Sequence, residues 1–191
     1  MIKNLKNLLA KSEILLYNKL IIPKSLLNCK EKIQLKILGI DPGFAIVGYG
    51  VIDYVGNKFT VRDYGAVTTN AGENIFHRLK QVYDEVSEII ARTKPDCMAI
   101  EELFFNTNTK TAITVAEARG ILIIAALNAG IPVFEYTPLQ VKQAVTGYGR
   151  ADKNQVQQMI KILLNLEKIP KPDDVADALA IAICCAHSVR R

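Results

Sequence analysis

Between residues 36 and 67 the chain carries three β-patterned runs in close succession: Lys36 to Asp41, Val47 to Asp53 and Lys58 to Val67. Short glycine-containing turns join them. Connectors this short cannot return a strand parallel to its neighbour, which takes about a dozen residues or more. The segment is therefore an antiparallel meander, and the rest of the chain has to cover a sheet already begun. The period then changes. Ile75, Phe76, Leu79, Val82, Tyr83, Val86, Ile89 and Ile90 recur at helical spacing, which predicts a helix over 75–91. Pro95-Asp96 breaks the chain, and Cys97 to Glu101 reads as a short buried strand. A long apolar helix follows over 109–129, with Ala116 and Gly120 giving it a small face, then a strand from Ile131 to Tyr136. Helices close the chain at 138–146, 153–165 (with Asp152 as N-cap) and 173–188. This order defines an α/β protein with a mixed five-stranded sheet flanked by helices, in one domain over 36–191.

Residues 1–35 differ in kind. Lys, Leu, Ile and Asn dominate, arginine is missing, and Leu5, Leu8, Leu9, Ser12, Leu15 and Leu16 are spaced for an amphipathic helix that Pro23 would end. The expectation is an appended tail or a translated stretch ahead of the true start. No methionine occurs between positions 1 and 98, so such a start would use a non-ATG codon under Ile33 or Leu35. The lack of arginine argues against a mitochondrial presequence. We read the extension as non-catalytic.

Net charge has to be located before it is used. The formal value is +5, but residues 1–36 hold eight lysines against two glutamates, so the remainder is almost balanced. Basicity inside the domain is local: residues 141–172 carry Lys142, Arg150, Lys153, Lys161, Lys168 and Lys171 against Asp152 and Glu167. Such a stretch suits contact with phosphates, or is simply a solvated surface. The four cysteines form no CxxC pair and there are only two histidines, which disfavours a zinc cluster. Free thiols in a reducing cytoplasm are expected. The longest uncharged apolar stretch, Gly120 to Phe134, is broken by Asn128, Gly130 and Pro132, so no membrane span is predicted.

Four acids interrupt apolar pattern. Asp41 ends the first strand of the meander, Glu101 ends the fourth strand, and Asp174 and Asp177 open the last helix three residues apart, on one face. Each has a plain alternative. Asp41 precedes Pro42-Gly43 and suits a turn; Asp173 or Asp174 suits a helix cap; Glu101, followed by Glu102, suits a strand end reaching solvent. Taken together they suit a hard divalent cation, which is held by oxygens. A pair of such ions activates water and stabilises the leaving oxygen in phosphodiester cleavage.

The stretches "ILGIDPGFAIVGYGVID", "MAIEELFF", "AEARGILIIAALNAGIPVFEYTPLQVKQAVTGYGRADKNQV" and "DDVADALAIAICCAH" together resemble the RuvC family of Holliday-junction resolvases, from about 36 to 188 and in family order. The resemblance implies an RNase H-like fold, a homodimer, and Mg²⁺-dependent symmetric nicking of four-way DNA junctions in recombination and repair. It implies two Mg²⁺ per site and functional coupling to the branch-migration proteins RuvA and RuvB. Asp41, Glu101, Asp174 and Asp177 match the family's acidic catalytic and metal-binding positions. Lys142 and Lys153 match basic positions that support cleavage near the scissile phosphate, and Phe104 an aromatic that meets bases at the junction. The DNA-facing set is then Phe104, Lys142, Arg150 and Lys153. Asp173 has no counterpart and reads as a cap or helix-dipole residue. The extension ahead of residue 36 departs from the family.

Two rival classes are set against this. Actin-like and sugar-kinase ATPases also begin with a strand and an Asp-x-Gly turn, but this chain is short for two lobes and has no second such turn. A non-catalytic nucleic-acid module of the same fold is disfavoured by all four acidic positions being filled. An RNase H-fold nuclease acting on RNA is set aside only by the Lys142 to Val156 block.

Overall fold

Alternation along the strands decides which layer each side chain meets. The computed structural model describes residues 14–17, 20–23, 34–103 and 109–189. They fall into two units, Met1–Gln34 and Leu35–Arg191.

The first unit contains a hairpin, β1 (Ile14–Tyr17) paired antiparallel with β2 (Leu20–Pro23), with Tyr17 opposite Leu20. This corrects the amphipathic helix expected through Leu15 and Leu16. Both leucines sit in a short run that ends in tyrosine, opposite Leu20-Ile21-Ile22, and aromatic and β-branched residues favour pleated pairing over a lone helix in water. The part of that expectation resting on Leu5, Leu8, Leu9 and Ser12 lies outside the described residues.

The second unit is built on a five-stranded sheet of order β5-β4-β3-β6-β7. Its strands are β3 (Gln34–Asp41), β4 (Ile46–Val55), β5 (Lys58–Thr68), β6 (Cys97–Glu101) and β7 (Val133–Tyr136). β4 and β5 pair antiparallel, whereas β3, β6 and β7 run parallel, so the sheet is mixed. The helices are α1 (Ile75–Thr93), α2 (Thr109–Asn128), α3 (Pro138–Thr146), α4 (Lys153–Leu163) and α5 (Asp173–Ser188). The sequence periods place every one of these elements, with ends shifted by a few residues. β7 starts two residues late because Pro132 has no N–H to give the ladder.

Leu38, Ile40, Val47, Val51, Met98 and Ile100 point into a core shared with Val82, Val86, Ile89 and Ile90 of α1 and with Leu122, Ala125 and Ala126 of α2. The intervening residues face α5. Cys97 brings its thiol within 4.0 Å of that of Cys185, and both are buried and free. At Gly39 an added Cβ would meet the backbone carbonyl of Ala178, and at Gly48 that of Asp174. Missing side chains here let α5 lie directly on β3 and β4. α5 is buried nearly all round, from Val175 to Ala186 apart from Asp177, because α3 and α4 cover its far side.

Candidate active site

The residue after each register pair is what the sheet hands to chemistry. Ile40 lies opposite Ile100 in the parallel pair β3–β6, so Asp41 and Glu101 follow as the last residues of adjacent strands. By alternation both share the face of Gly39 and Cys97, the face that α5 covers. α5 begins at that edge with Asp173, Asp174 and Asp177, its first turn resting on Gly48. Two strand ends and one helix start therefore deliver four carboxylates to one place.

The electrostatics reflect that crowding. Burial, followed by the charges of Glu101, Asp177 and Asp174, pushes the Asp41 carboxyl up to about 8, against a pull downward from Lys153. Glu101 is raised by burial and by Asp177, with Lys142 opposing. Asp177 is raised by burial, with Lys153 opposing. Asp174, Lys142 and Lys153 thus lie close enough to act on Asp41, Glu101 or Asp177. Arg150 stands exposed between α3 and α4, and the cations acting on these acids are the lysines instead. Phe104 lies outside the described residues.

Both lysines are carried on securely started helices. Thr137 caps α3 and Asp152 caps α4; each exchanges hydrogen bonds with the glutamine three residues on, Gln140 and Gln155. The Asp152 cap is as expected. That of Thr137, followed by Pro138 at the first helical position, was legible but not anticipated. A cleft of about 250 Å³ opens between these helices and α5, with Glu101, Asp177, Lys142 and Lys153 beside apolar Val141 and Val156.

Further residues serve the site from behind. Arg119 Nε donates to the Glu101 carbonyl oxygen (3.2 Å), and its guanidinium also pairs with Glu135 on β7, so it holds the end of β6. A single arginine inside the apolar stretch of α2 was the available signal. Behind Asp41, the buried Arg78 lays its guanidinium 3.9 Å over the Phe44 ring and donates to Thr69 Oγ1 (3.0 Å). Thr69 Oγ1 in turn donates to the Phe44 carbonyl (2.8 Å), which ties down the turn that follows the strand. Of the two roles the sequence suggested for Asp173, the structure keeps that of a helix-dipole residue in the first turn of α5 and not that of the cap. Pro172 occupies the N-cap position, and no side chain caps the helix. The carboxylate of Asp173 pairs instead with Lys171 and Lys153, which hold it down near 2.

As a donor set, four carboxylates offer only hard oxygen ligands, which fits Mg²⁺ rather than a thiophilic metal. Mutual repulsion among them is what a divalent cation would relieve. Among the described residues no three His, Cys, Asp or Glu side chains form a ready-made ligand group. Mg²⁺ does not require one, since it keeps several waters and takes few protein ligands.

A pH dependence follows. A carboxyl whose folded pKa lies above its unfolded value binds more protons when folded, so stability falls as pH rises between the two. For Asp41 that window runs from 3.8 to about 8. Thermal melts in chelator should therefore show this contribution intact below pH 4 and lost by pH 8. Asp41→Asn should flatten the slope in that window and melt higher than the parent protein above it. Parallel slopes for the two proteins would mean that Asp41 is not strained.

A mixed sheet that brings strand-end carboxylates against the start of a covering helix is the RNase H-like fold. Comparison with known proteins narrows the class. Residues 37–185 match the family described as crossover junction endodeoxyribonuclease RuvC. The protein of that name from Alkaliphilus oremlandii is 63% identical over 152 residues, covering 80% of this chain and 93% of the relative. The solved structure of Thermus thermophilus RuvC superposes with a TM-score of 0.75 at 36% identity, covering 82% of this chain and 96% of the other. The same protein in complex with a Holliday junction substrate gives 0.74 at 35%, covering 82% and 95%. The chain belongs to the RuvC family. Among the described residues no helix is long and apolar enough to cross a membrane.

Proposed function

We propose that this chain resolves Holliday junctions, nicking two strands of a four-way DNA junction symmetrically in recombination and repair. The observation that carries the reading is the meeting of Asp41, Glu101, Asp174 and Asp177 beside Lys142 and Lys153. Family membership from 37 to 185 supports it. The test is nicking of a synthetic mobile four-way junction against plain duplex, with and without Mg²⁺. Cleavage of the junction alone, and only with metal, is expected; equal cutting of duplex would overturn the reading.

Asp41, Glu101, Asp174 and Asp177 would hold Mg²⁺, two ions per site. When bound, the metal supplies an activated water and charge stabilisation at the leaving oxygen, giving 5′-phosphate and 3′-hydroxyl ends. The remaining work is done by the protein. Asp41, which feels the charges of Glu101, Asp177 and Asp174, would be the central ligand. Lys142 and Lys153 neutralise phosphate charge near the scissile bond, which makes binding salt-sensitive. Arg150 extends that basic edge toward DNA, and Phe104 is assigned to the bases. Val141 and Val156 give the cleft apolar walls, which limit competing water around the charges.

Symmetric nicking calls for two sites, and we assign the homodimer contact to α2. Ile113, Ile124 and Leu127 are exposed on it, and nothing lies within 4 Å of a Cβ built at Gly120. Their spacing with Ala116 makes one apolar stripe, of the kind that marks a partner surface. Ile124→Glu should turn a dimer into a monomer in light scattering and leave single nicks in place of paired ones. Dimeric mass retained by that variant would move the contact elsewhere. Coupling to RuvA and RuvB and a cytoplasmic location belong to the same reading, and residues 1–35 stand outside the catalytic unit.

A further inference from the structure

We propose that Asp173 is a positioning residue for Lys153, sharing its ammonium group with Asp177 and so loosening the lysine's hold on the acid that the metal needs. The inference rests on the assignment of Lys153 and Asp177 made above. Lys153 Nζ lies 3.2 Å from Asp173 Oδ2 and 3.4 Å from Asp177 Oδ2. Asp173 and Asp177 are four residues apart on α5 and so share one face, with the ammonium bridging them. Lys153 is the first residue of α4, and the Asp152–Gln155 capping box fixes where its side chain starts. Asp173 is held from the other side as well, since Lys171 Nζ donates to its Oδ1 (2.6 Å) and the buried Gln157 amide also faces it.

The carboxylate of Asp173 makes no cap hydrogen bond to its own helix. Its partners are half-exposed or exposed lysines, and pairs of that kind add little to stability. Beyond the favourable charge it places in the first turn of α5, neither capping nor ion-pair stability accounts for these contacts. What Asp173 changes is the competition at Asp177. An ammonium group and a divalent cation seek the same carboxylate oxygens. With Asp173 present, Lys153 is shared between two acids; without it, Lys153 has Asp177 alone. The lysine would then compete more strongly with the metal for Asp177.

The experiment titrates Mg²⁺ into the DNA-free protein by calorimetry and measures junction nicking across Mg²⁺ concentrations. It compares the parent protein with Asp173→Asn, Asp173→Glu, Lys153→Ala and the double variant Lys153→Ala/Asp173→Asn. Asp173→Asn should weaken Mg²⁺ binding roughly two- to fivefold, the fold-change an exposed ion pair represents. The Mg²⁺ needed for half-maximal nicking should rise by the same factor, with the melting temperature unchanged. Asp173→Glu should restore most of both. In the Lys153→Ala background, Asp173→Asn should have no further effect on Mg²⁺ binding. Equal effects in both backgrounds, or an unchanged Mg²⁺ requirement, would overturn the role of Asp173. Parent-like nicking by Lys153→Ala would instead remove the assignment of Lys153, and the proposal with it.

Discussion

Asp41→Asn should lower nicking of a four-way junction by roughly 10³- to 10⁴-fold, the scale on which a concerted site fails when one charged member is removed. Junction affinity should stay within a few-fold. The substitution keeps the shape of the side chain and removes one negative charge at the position where the other acids press hardest. A site that repels itself is relieved by losing that charge, so folding does not suffer. On the proposed reading DNA is attracted by Lys142, Lys153 and Arg150, none of which is touched, and less negative charge at the cleft favours a polyanion. Gel-shift binding and nicking measured on one preparation check both halves. Nicking that persists at a tenth of the parent rate would remove Asp41 from the centre of the mechanism.

Gly39→Val carries the second large effect, through structure. The new Cβ would meet the backbone carbonyl of Ala178 and lie 2.8 Å from the amide nitrogen of Ala182. Neither atom belongs to a flexible side chain, so β3 and α5 have to separate. Overpacking of this kind costs about 3 kcal/mol or more, out of a total of roughly 5–15 kcal/mol for a domain. The loss reads out in denaturant unfolding. Any protein that still folds should bind Mg²⁺ poorly, because the helix carrying Asp174 and Asp177 has moved from the strands carrying Asp41 and Glu101. Parent-like stability would mean that the close approach at Gly39 is not what seats α5.

Much of this was legible in the sequence, for identifiable reasons. Periods of 2 and 3.6 residues report which face of an element is covered, and that placed the strands and helices of the second unit. The site acids were legible because each broke an apolar pattern at an element end. Breaking a pattern is not enough alone. Asp53 also sits buried in an apolar strand, yet its partner is Arg62 across the β4–β5 hairpin. What periodicity does not carry is pairing between distant elements. Hence Arg119 under Glu101, Arg78 behind the turn after Asp41, and Asp173 beside Lys153 appear only in three dimensions. The hairpin at Ile14–Pro23 was missed for a local reason: leucines at helical spacing outweighed the shorter β-favouring runs around them.

The small residues of α5 have a geometric consequence for the cleft. Ala176, Ala178, Ala180, Ala182 and Ala186 are buried in a helix sandwiched between the sheet and α3–α4. Alanines make that middle layer thin. A lysine rooted in the outer layer can then bring its charge into the cleft it shares with Glu101 and Asp177, a reach that bulkier side chains would put out of range. The alanines thus act as spacers that set the gauge of the enzyme, matching the thickness of a helix to the length of a lysine.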